Sequence, residues 1–423
     1  MKRALLAALL ASLLAVPAMA QVKLQLVEVI TSPERTEVLK GQVAAFEKEN
    51  PGVSVDIVSL PWGQAFEKML TMIQGGQIPD VAEMPERWSA LYVGRNQLES
   101  LEPWLAKWDE TAQLSDRTMH FARVAGGKAY LIPYGFYIRA LFYNKSLFQQ
   151  AGIANPPATM DDFMEDSKKI TALGGGKTGY CLRGSKGGFG GWYMSMAAMN
   201  GNGAFFDDKG NSTFNQPGAI KGIQFLVDLY KNGYAPKDAV NWGFNEIVAG
   251  FYSGACAMLD QDPDALIAIA QRMDAKDFAV APMPVGPSGK AYPTIGYAGW
   301  AMFAASQHKE EAWKLIAFLS NAKSNLEWAK FVGVIPTHKG AEQDPHFNTE
   351  QYKGWFTELS DSSKYEMVTP PTHLENLGNF VDQVAIKNFQ EVLLGQKPAK
   401  QAADEWAAFL TKEQQTWLAK NKK

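Results

Sequence analysis

Two groups of carboxylates lie close together in the sequence and are suited either to cutting a glycosidic bond or to binding a polar guest. Asp260, Asp262 and Asp264 alternate after an apparent strand, and Glu83 and Glu86 follow another. A glycoside hydrolase needs two carboxyl groups at a set separation, as acid and as base or nucleophile. A binding site uses the same groups as hydrogen-bond acceptors for hydroxyls. These residues alone therefore do not distinguish a glycoside hydrolase from a binding protein.

Other reactive chemistry lacks the residues that it needs. The 5 histidines are scattered without metal-ligand spacing and there are only 2 cysteines, so we expect no metal. Gly174 to Thr178 imitates a phosphate-binding loop, but Thr171 occupies the position of that loop's first glycine. We expect no cofactor. The net charge of -3 argues against a nucleic-acid partner, because phosphate binding needs a basic surface.

Tryptophan and tyrosine residues recur beside glycine, proline or charged residues, outside the helical patterns. Aromatic faces suit the apolar C–H patches of a sugar ring. For any one of these aromatics, core packing explains the position equally well. Together, at the ends of strands in an α/β fold, they favour a ligand crevice. The residues concerned are Trp62, Trp88, Tyr134, Tyr137, Trp192, Tyr297 and Trp300.

The elements that must position these side chains alternate between strand and helix. Residues 24–29 predict a buried strand, Ser32 and Pro33 predict a helix start, and Asn50 predicts its end. A strand at 53–57 and further helices follow, which indicates an α/β fold. The chain of 423 residues is long enough for two domains. No long polar linker divides it, so we expect short segments to cross between the domains.

The N-terminus predicts export. Lys2 and Arg3 precede an apolar run from Leu5 to Val16, and residues 18–20 form an A-x-A cleavage site, so residues 1–20 are a predicted signal peptide cleaved after Ala20. Export places the two cysteines in a compartment where disulfides form. A single bridge and two buried free thiols both remain open at this point.

A series of short motifs resembles the carbohydrate-binding group of extracellular solute-binding proteins of ABC importers, which includes maltose- and glycerol-3-phosphate-binding proteins. Each motif is weak, but their order and spacing cover nearly the whole mature chain. They lie at residues 46–55 (FEKENPGVSV), 76–81 (GQIPDV), 127–133 (GKAYLIP), 141–145 (LFYNK), 251–258 (FYSGACAM), 296–300 (GYAGW), 311–313 (EAW) and 333–337 (GVIPT).

The resemblance implies two α/β lobes of the type II-like periplasmic fold, each with a mainly parallel sheet, and a hinge between them. The expected N-terminal lobe is 21–135 plus 286–340, and the C-terminal lobe is 136–285 plus 341–423. It also implies a periplasmic monomer that performs no chemistry, closes on a sugar or polyol, and docks on importer permease subunits in the inner membrane. Cys181 and Cys256 resemble a cysteine pair of the glycerol-3-phosphate-binding relatives, which favours the bridge.

The loop aromatics and the resemblance together predict a ligand set. It consists of Trp62, Glu83, Glu86, Arg87, Trp88, Phe136, Tyr137, Arg183, Trp192, Asp260, Asp262, Asp264, Gly299 and Trp300. An alternative guest is glycerol 3-phosphate or a glycerophosphodiester, held by Arg87, Arg139 and Arg183. A secreted glycoside hydrolase is the third and least favoured hypothesis.

Overall fold

The computed structural model describes residues 22–123 and 127–421. The predicted signal peptide, residues 1–20, lies outside the described residues. The described strands are β1 (Val22–Glu28), β2 (Val53–Ser59), β3 (Val81–Pro85), β4 (Leu131–Ile138), β5 (Ala140–Asn144), β6 (Thr178–Tyr180), β7 (Cys256–Gln261), β8 (Phe278–Ala281) and β9 (Ile295–Met302).

Helices flank the two sheets that these strands form. None of the described helices combines the length and apolar composition needed to cross a bilayer. The helices are α1 (Pro33–Glu49), α2 (Trp62–Gln74), α3 (Glu86–Gly94), α4 (Glu102–Leu105), α5 (Asp116–Ala122), α6 (Lys145–Gln150), α7 (Met160–Thr171), α8 (Phe189–Asn200), α9 (Pro217–Lys231), α10 (Phe244–Tyr252), α11 (Ala265–Ala270), α12 (Lys309–Ser320), α13 (Ala322–Val332), α14 (Lys353–Ser360), α15 (Leu377–Asn379), α16 (Ala385–Leu393) and α17 (Ala399–Asn421).

The strand orders are β2-β1-β3-β9-β4 in the first sheet and β6-β7-β5-β8 in the second. β1 pairs in parallel with β2 and β3, and β6 with β7. β9 pairs antiparallel with β3 and β4, and β5 pairs antiparallel with β7 and β8. The two-lobe α/β fold is confirmed, but the expectation of mainly parallel sheets is wrong. β5 and β9 each follow a segment that crosses from one sheet to the other. No crossover helix precedes them among the described elements, and such a helix is what usually connects parallel strands, so they pair antiparallel.

Local sequence signals explain how the first lobe begins. Leu24 and Leu26 are fully buried in β1, as the predicted strand requires. The Ser32 hydroxyl accepts a hydrogen bond from the Arg35 amide at 3.2 Å and so caps α1, while Pro33 occupies its first turn. The predicted helix from Pro33 to Asn50 is therefore confirmed, and it holds the 30–35 turn beside the end of β1.

Three short segments link the two sheets. Arg139 is the single residue between β4 and β5, and residues 282–294 connect β8 with β9. Residues 333–352 connect α13, which packs on β4, with α14, which packs on β8. β4 belongs to the first sheet as far as Ile138, three residues beyond the expected lobe boundary at 135. The division of the whole chain into lobes stays a prediction.

Cys181 and Cys256 form a disulfide with their Cα atoms 5.4 Å apart. Both are fully buried, and they tie the start of β7 to the residue that follows β6. The bond spans 75 residues of sequence, which include α8, α9 and α10. It therefore closes a large loop within the second lobe.

Loss of this disulfide should lower stability strongly. In the chain-entropy treatment, a loop of this length contributes about 4 kcal/mol to the free energy of unfolding. We expect the Cys181→Ser, Cys256→Ser double variant to lose an amount of this order in urea unfolding, and the parent to lose as much under reducing conditions. Equal unfolding midpoints with and without reductant, for a parent whose mass confirms the bond, would contradict this expectation.

Glu358 on α14 lies beneath the segment that connects β8 with β9. Its side chain is almost fully buried, and one carboxyl oxygen, Oε1, accepts a hydrogen bond from the Met283 amide at 2.6 Å. Among the described residues, the other oxygen has no hydrogen-bond partner. Burial raises the pKa of Glu358 well above its ordinary value. Folding therefore favours the protonated form of this carboxyl more than the unfolded chain does.

Replacing Glu358 by Gln should stabilise the protein at neutral pH. A folded-state pKa above the unfolded value means that stability falls as pH rises, from the unfolded pKa upward. Glu358→Gln removes that loss, so its advantage in unfolding free energy should be present at neutral pH and vanish below about pH 4. Glu342→Gln, at an exposed position, is the matched control. A stability difference that does not change with pH would refute the argument.

Candidate functional site

A cavity of about 700 Å³, lined by both apolar and charged groups, lies between elements of the two sheets. Trp62 at the start of α2, and Glu86 and Arg87 at the start of α3, line it from the first lobe. Arg183 and the loop after β7 line it from the second. A cavity of this size matches the range of small-molecule sites.

Half of the fourteen predicted ligand residues line this cavity. They are Trp62, Glu86, Arg87, Tyr137, Arg183, Asp262 and Asp264. The other seven do not line it and have structural roles. They are Glu83, Trp88, Phe136, Trp192, Asp260, Gly299 and Trp300.

Glu83 is a structural residue of the first lobe, which corrects its prediction as a ligand residue. Its carboxylate is fully buried, and Oε2 accepts hydrogen bonds from the Val29 and Ile30 amides, both at 2.7 Å. Oε1 accepts from Arg35 at 2.6 Å and from the Tyr134 hydroxyl at 2.5 Å. Four donors surround the carboxylate, so it is fully used in joining β1, α1 and β4.

Asp260 has the corresponding role in the second lobe. Its Oδ2 pairs with Arg139 at 2.6 Å, and its Oδ1 accepts a hydrogen bond from the Tyr180 hydroxyl. Glu83 and Asp260 thus do not line the cavity themselves, but each pairs with an arginine that does, Arg35 and Arg139 respectively. Neither carboxylate pair considered for a hydrolase, Glu83 with Glu86 or Asp260 with Asp262, brings both its members to the cavity wall.

Four predicted aromatic ligands are core residues instead. Trp192 in α8 stacks on Phe389 with centroids 4.0 Å apart, and its indole nitrogen donates to the Arg183 carbonyl. Trp300, in β9 rather than in a loop, packs on Tyr134 at 5.3 Å. The remaining two, Trp88 in α3 and Phe136 in β4, are 1% exposed.

Gly299 is required for packing within the first sheet. A Cβ there would lie 2.3 Å from the Ile132 carbonyl oxygen, which no real side chain allows. The sequence interpretation also placed Tyr134, Tyr137 and Tyr297 in loops. The structure places them in β4 and β9, and β4 runs without interruption from Leu131 to Ile138.

Several cavity residues were not predicted. The sequence signal that points to some of them is the glycine-rich segment before α8, because these glycines let arginine side chains approach the backbone. A Cβ on Gly187, which has φ +81°, would lie 2.1 Å from Arg183, and one on Gly190 would lie 2.9 Å from Arg139. The unpredicted lining residues include Arg35, Lys186, Phe189, Phe244, Gln261 and Thr294. Arg139, predicted only for the phosphate alternative, and Tyr297, predicted only as a crevice aromatic, also line the cavity.

Trp62 lines the cavity with a half-buried indole. The Trp88 ring stacks on it with centroids 5.7 Å apart, and the Arg87 guanidinium carbon lies 4.6 Å from its centroid. That carbon is 6.0 Å from the Trp88 centroid. The part of the indole that remains exposed is available to a guest.

Most cations that line the cavity already have a carboxylate partner. The pairs are Arg35 with Glu83 (2.6 Å), Arg87 with Asp382 (3.3 Å), Arg139 with Asp260 (2.6 Å) and Lys186 with Glu67 (2.8 Å). Arg183 differs, because among the described residues it donates only to the Lys186 carbonyl (2.7 Å) and, at 3.4 Å, to Gln261. Burial, followed by the repulsion of Arg139, lowers the pKa of Arg183 to about 9.

Three of the carboxyls that line the cavity, Glu86, Asp262 and Asp264, have a raised pKa. Burial is the main cause for all three. For Asp264, burial and then the neighbouring Asp262 raise the pKa to about 7. The Glu86 carboxylate has its nearest cation, Arg87, at 3.7 Å. Among the described residues, no group of three or more His, Cys, Asp or Glu is arranged to hold a metal ion.

Contacts at the cavity rim join elements of the two lobes. Lys186, in the loop before α8, donates to the Gly63 carbonyl and pairs with Glu67 on α2 at 2.8 Å. Gln383, between α15 and α16, also donates to Glu67. The walls are therefore connected by hydrogen bonds outside the cavity itself.

Two α/β lobes connected by short segments, with a cavity lined by an indole and charged groups between them, define a two-lobed binding protein. Comparison with known proteins agrees. Residues 32–325 match the family described as bacterial extracellular solute-binding protein. A Brucella abortus (strain 2308) protein described only as a binding protein is 30% identical over 342 residues, covering 80% of this chain and 81% of that protein. This chain belongs to the bacterial extracellular solute-binding protein family.

Two further relatives extend the comparison. The galactooligosaccharide-binding protein of Bacillus subtilis (strain 168) is 26% identical over 384 residues, covering 88% of this chain and 86% of that protein. An ABC transporter solute-binding protein from Thermotoga lettingae TMO, crystallised with α-D-tagatose, has a TM-score of 0.83 and 23% identity. The match covers 93% of this chain and 100% of that one, and it demonstrates the shared fold.

Replacement by glutamine should change the unfolding free energy much more at Glu83 than at Glu86. Glu83→Gln replaces an acceptor of four hydrogen bonds and leaves Arg35 buried without its charge partner, so we expect a loss of about 3 kcal/mol in unfolding free energy. Glu86→Gln, at the cavity wall, should change it by less than about 1 kcal/mol. Urea unfolding of both variants measures the difference. Equal losses would contradict the assignment of Glu83 to structure and Glu86 to the cavity.

Proposed function

We propose that this protein captures a carbohydrate or polyol in the cavity between its lobes and delivers it, chemically unaltered, to the permease of an ABC importer. The observation that carries the proposal is the half-buried indole of Trp62, which lines the same cavity as Glu86, Asp262, Asp264 and Arg183. An indole face covers the C–H side of a sugar ring, while charged groups form strong hydrogen bonds to its hydroxyls. The names of the Bacillus relative and the Thermotoga structure support the same class of guest.

The carboxylate partners of the cavity cations favour a polyhydroxy guest without a phosphate group over a phosphate ester. A phosphate clamp built from Arg87, Arg139 and Arg183 needs three free guanidinium groups. Arg87 is paired with Asp382 and Arg139 with Asp260, so only Arg183 is available. Glycerol 3-phosphate therefore enters the experiments as a competitor and not as the expected guest.

The proposed mechanism is capture, closure and release. The proposed location is the periplasm after removal of residues 1–20, and the proposed state is a monomer. Binding to the folded state alone raises the melting temperature by mass action. A thermal-shift screen of mono-, di- and trisaccharides, polyols and glycerol 3-phosphate should give stabilisation by a sugar or polyol. Mass spectrometry should recover that guest unchanged. Silence across the screen, or a hydrolysed guest, would overturn the proposal.

Trp62→Ala should weaken binding of the guest selected by that screen about ten-fold, because loss of one stacking contact costs about 1.4 kcal/mol. Its unfolding midpoint should stay near that of the parent, since the ring is half-buried. Trp313→Ala, a half-buried tryptophan outside the cavity, is the control and should leave affinity unchanged. Calorimetric titration measures both variants. Unchanged affinity in Trp62→Ala would exclude stacking on this ring.

A further inference from the structure

One wall of the cavity presents hydrogen-bond acceptors. We call Glu86, Tyr137, Asp262 and Asp264 the acceptor wall. All four line the cavity, and they come from α3, from β4 and from the loop after β7. An acceptor wall of this kind restricts the guest, because each buried oxygen needs a donor from it.

Hydrogen-bond direction fixes the role of Tyr137. The Tyr134 hydroxyl donates its one proton to the Glu83 carboxylate, which is ion-paired with Arg35. The Tyr134 oxygen, 2.7 Å from the Tyr137 oxygen, must then accept the Tyr137 proton. Tyr137 has no proton left for the cavity, so its oxygen can only accept from a guest.

The carboxyls of the acceptor wall have few donors of their own. Oδ1 of Asp264 is buried and, among the described residues, has no hydrogen-bond partner. The Glu86 side chain is nine-tenths buried, and its nearest cation, Arg87 at 3.7 Å, lies closer to Asp382. The only side-chain donor to Asp262 in the described chain is the Gln261 amide at 3.3 Å. A guest that covers these oxygens must supply the missing hydrogen bonds.

Carboxyl groups also outnumber the unpaired buried cations of the cavity wall. Four of the cations are neutralised by the carboxylates described above, which leaves Arg183 as the buried cation without a carboxylate within 4.0 Å. Three acceptor-wall carboxyls stand against that one guanidinium. Glu34 is half-buried, as Asp262 and Asp264 are, and adds a further carboxyl, whereas Glu246 and Arg272 are exposed and screened by water.

We propose that the guest carries a positively charged amine beside its hydroxyls, as in an amino sugar or amino polyol, and that the ammonium group lies against the acceptor wall. This inference rests on the proposed function, because the same cavity must bind the sugar-like part of the guest. An ammonium group offers three donors and no acceptor, and its bonds to carboxylates are charge-assisted. Arg183 then donates to the guest's hydroxyl oxygens.

The test uses matched sugars that differ in one substituent. Calorimetric titration near neutral pH compares glucose, galactose and mannose with their 2-amino-2-deoxy and 2-acetamido-2-deoxy derivatives. If the thermal-shift screen selects a different sugar or polyol, its amine derivative is added to the set. In at least one series the amine should bind ten-fold or more tightly than the parent alcohol, and the acetamide, which has lost the charge, should lose this advantage.

Two variants locate the effect. Asp264→Asn is isosteric and removes a negative charge, so the amine's advantage over the alcohol should fall at least several-fold. Asp109→Asn, at an exposed position outside the cavity, should keep the advantage.

Proton release gives a second readout at Asp264. The charged and titratable groups that face its carboxyl are Arg35, Tyr137, Arg183 and Asp262, and the Gln261 amide lies beside them. An added ammonium group lowers the pKa of Asp264, so the amine should release protons on binding. Titrations in buffers of different ionisation enthalpy measure this release.

Failure of this inference is distinguishable from failure of the proposed function. If neutral sugars bind and their amines bind no more tightly, the amine proposal is overturned and the proposed function stands. If Asp264→Asn keeps the full preference for the amine, the assignment to the acceptor wall is overturned. If no sugar, polyol or amine derivative binds, both proposals fail together.

Discussion

A carboxylate that is removed from water needs hydrogen-bond donors around it. The wall that the first lobe contributes to the cavity depends on how Glu83 meets this requirement. An unpaired charge at this depth would cost several kcal/mol. Two backbone amides at the end of β1, the Arg35 guanidinium and the Tyr134 hydroxyl surround it. The network fixes the turn into α1, and through Tyr134 it sets the hydrogen-bond direction of Tyr137.

The same constraint assigns different roles to carboxylates that are neighbours in sequence. Asp260 lies within β7 and pairs with Arg139, whereas Asp262, two residues later, has left the strand and faces the cavity. Glu83 in β3 and Glu86 at the start of α3 divide in the same way. In both cases the member inside the strand holds the lobe together, and the member beyond its end is free for a guest. The end of the strand therefore separates structural carboxylates from binding ones.

The strand and helix order of the first lobe and the family were predictable, because they depend on local periodicity, capping residues and motif order. The ligand set stays a prediction, and half of it lines the cavity. The other half does not, because burial and pairing depend on distant residues. Arg87 finds Asp382 across 295 positions, and Arg139 finds Asp260 across 121. Nothing local distinguishes Trp62, which lines the cavity, from Trp192, whose face is covered by Phe389.

The disulfide between Cys181 and Cys256 has a consequence for backbone integrity. The enclosed loop carries α8, α9 and α10, and its surface is accessible to extracellular proteases at exposed turns such as Asp207–Lys209. A single peptide-bond scission inside this loop leaves both fragments covalently linked through sulfur. The clipped molecule keeps its mass apart from one added water. It separates into two pieces only when the protein is both reduced and unfolded.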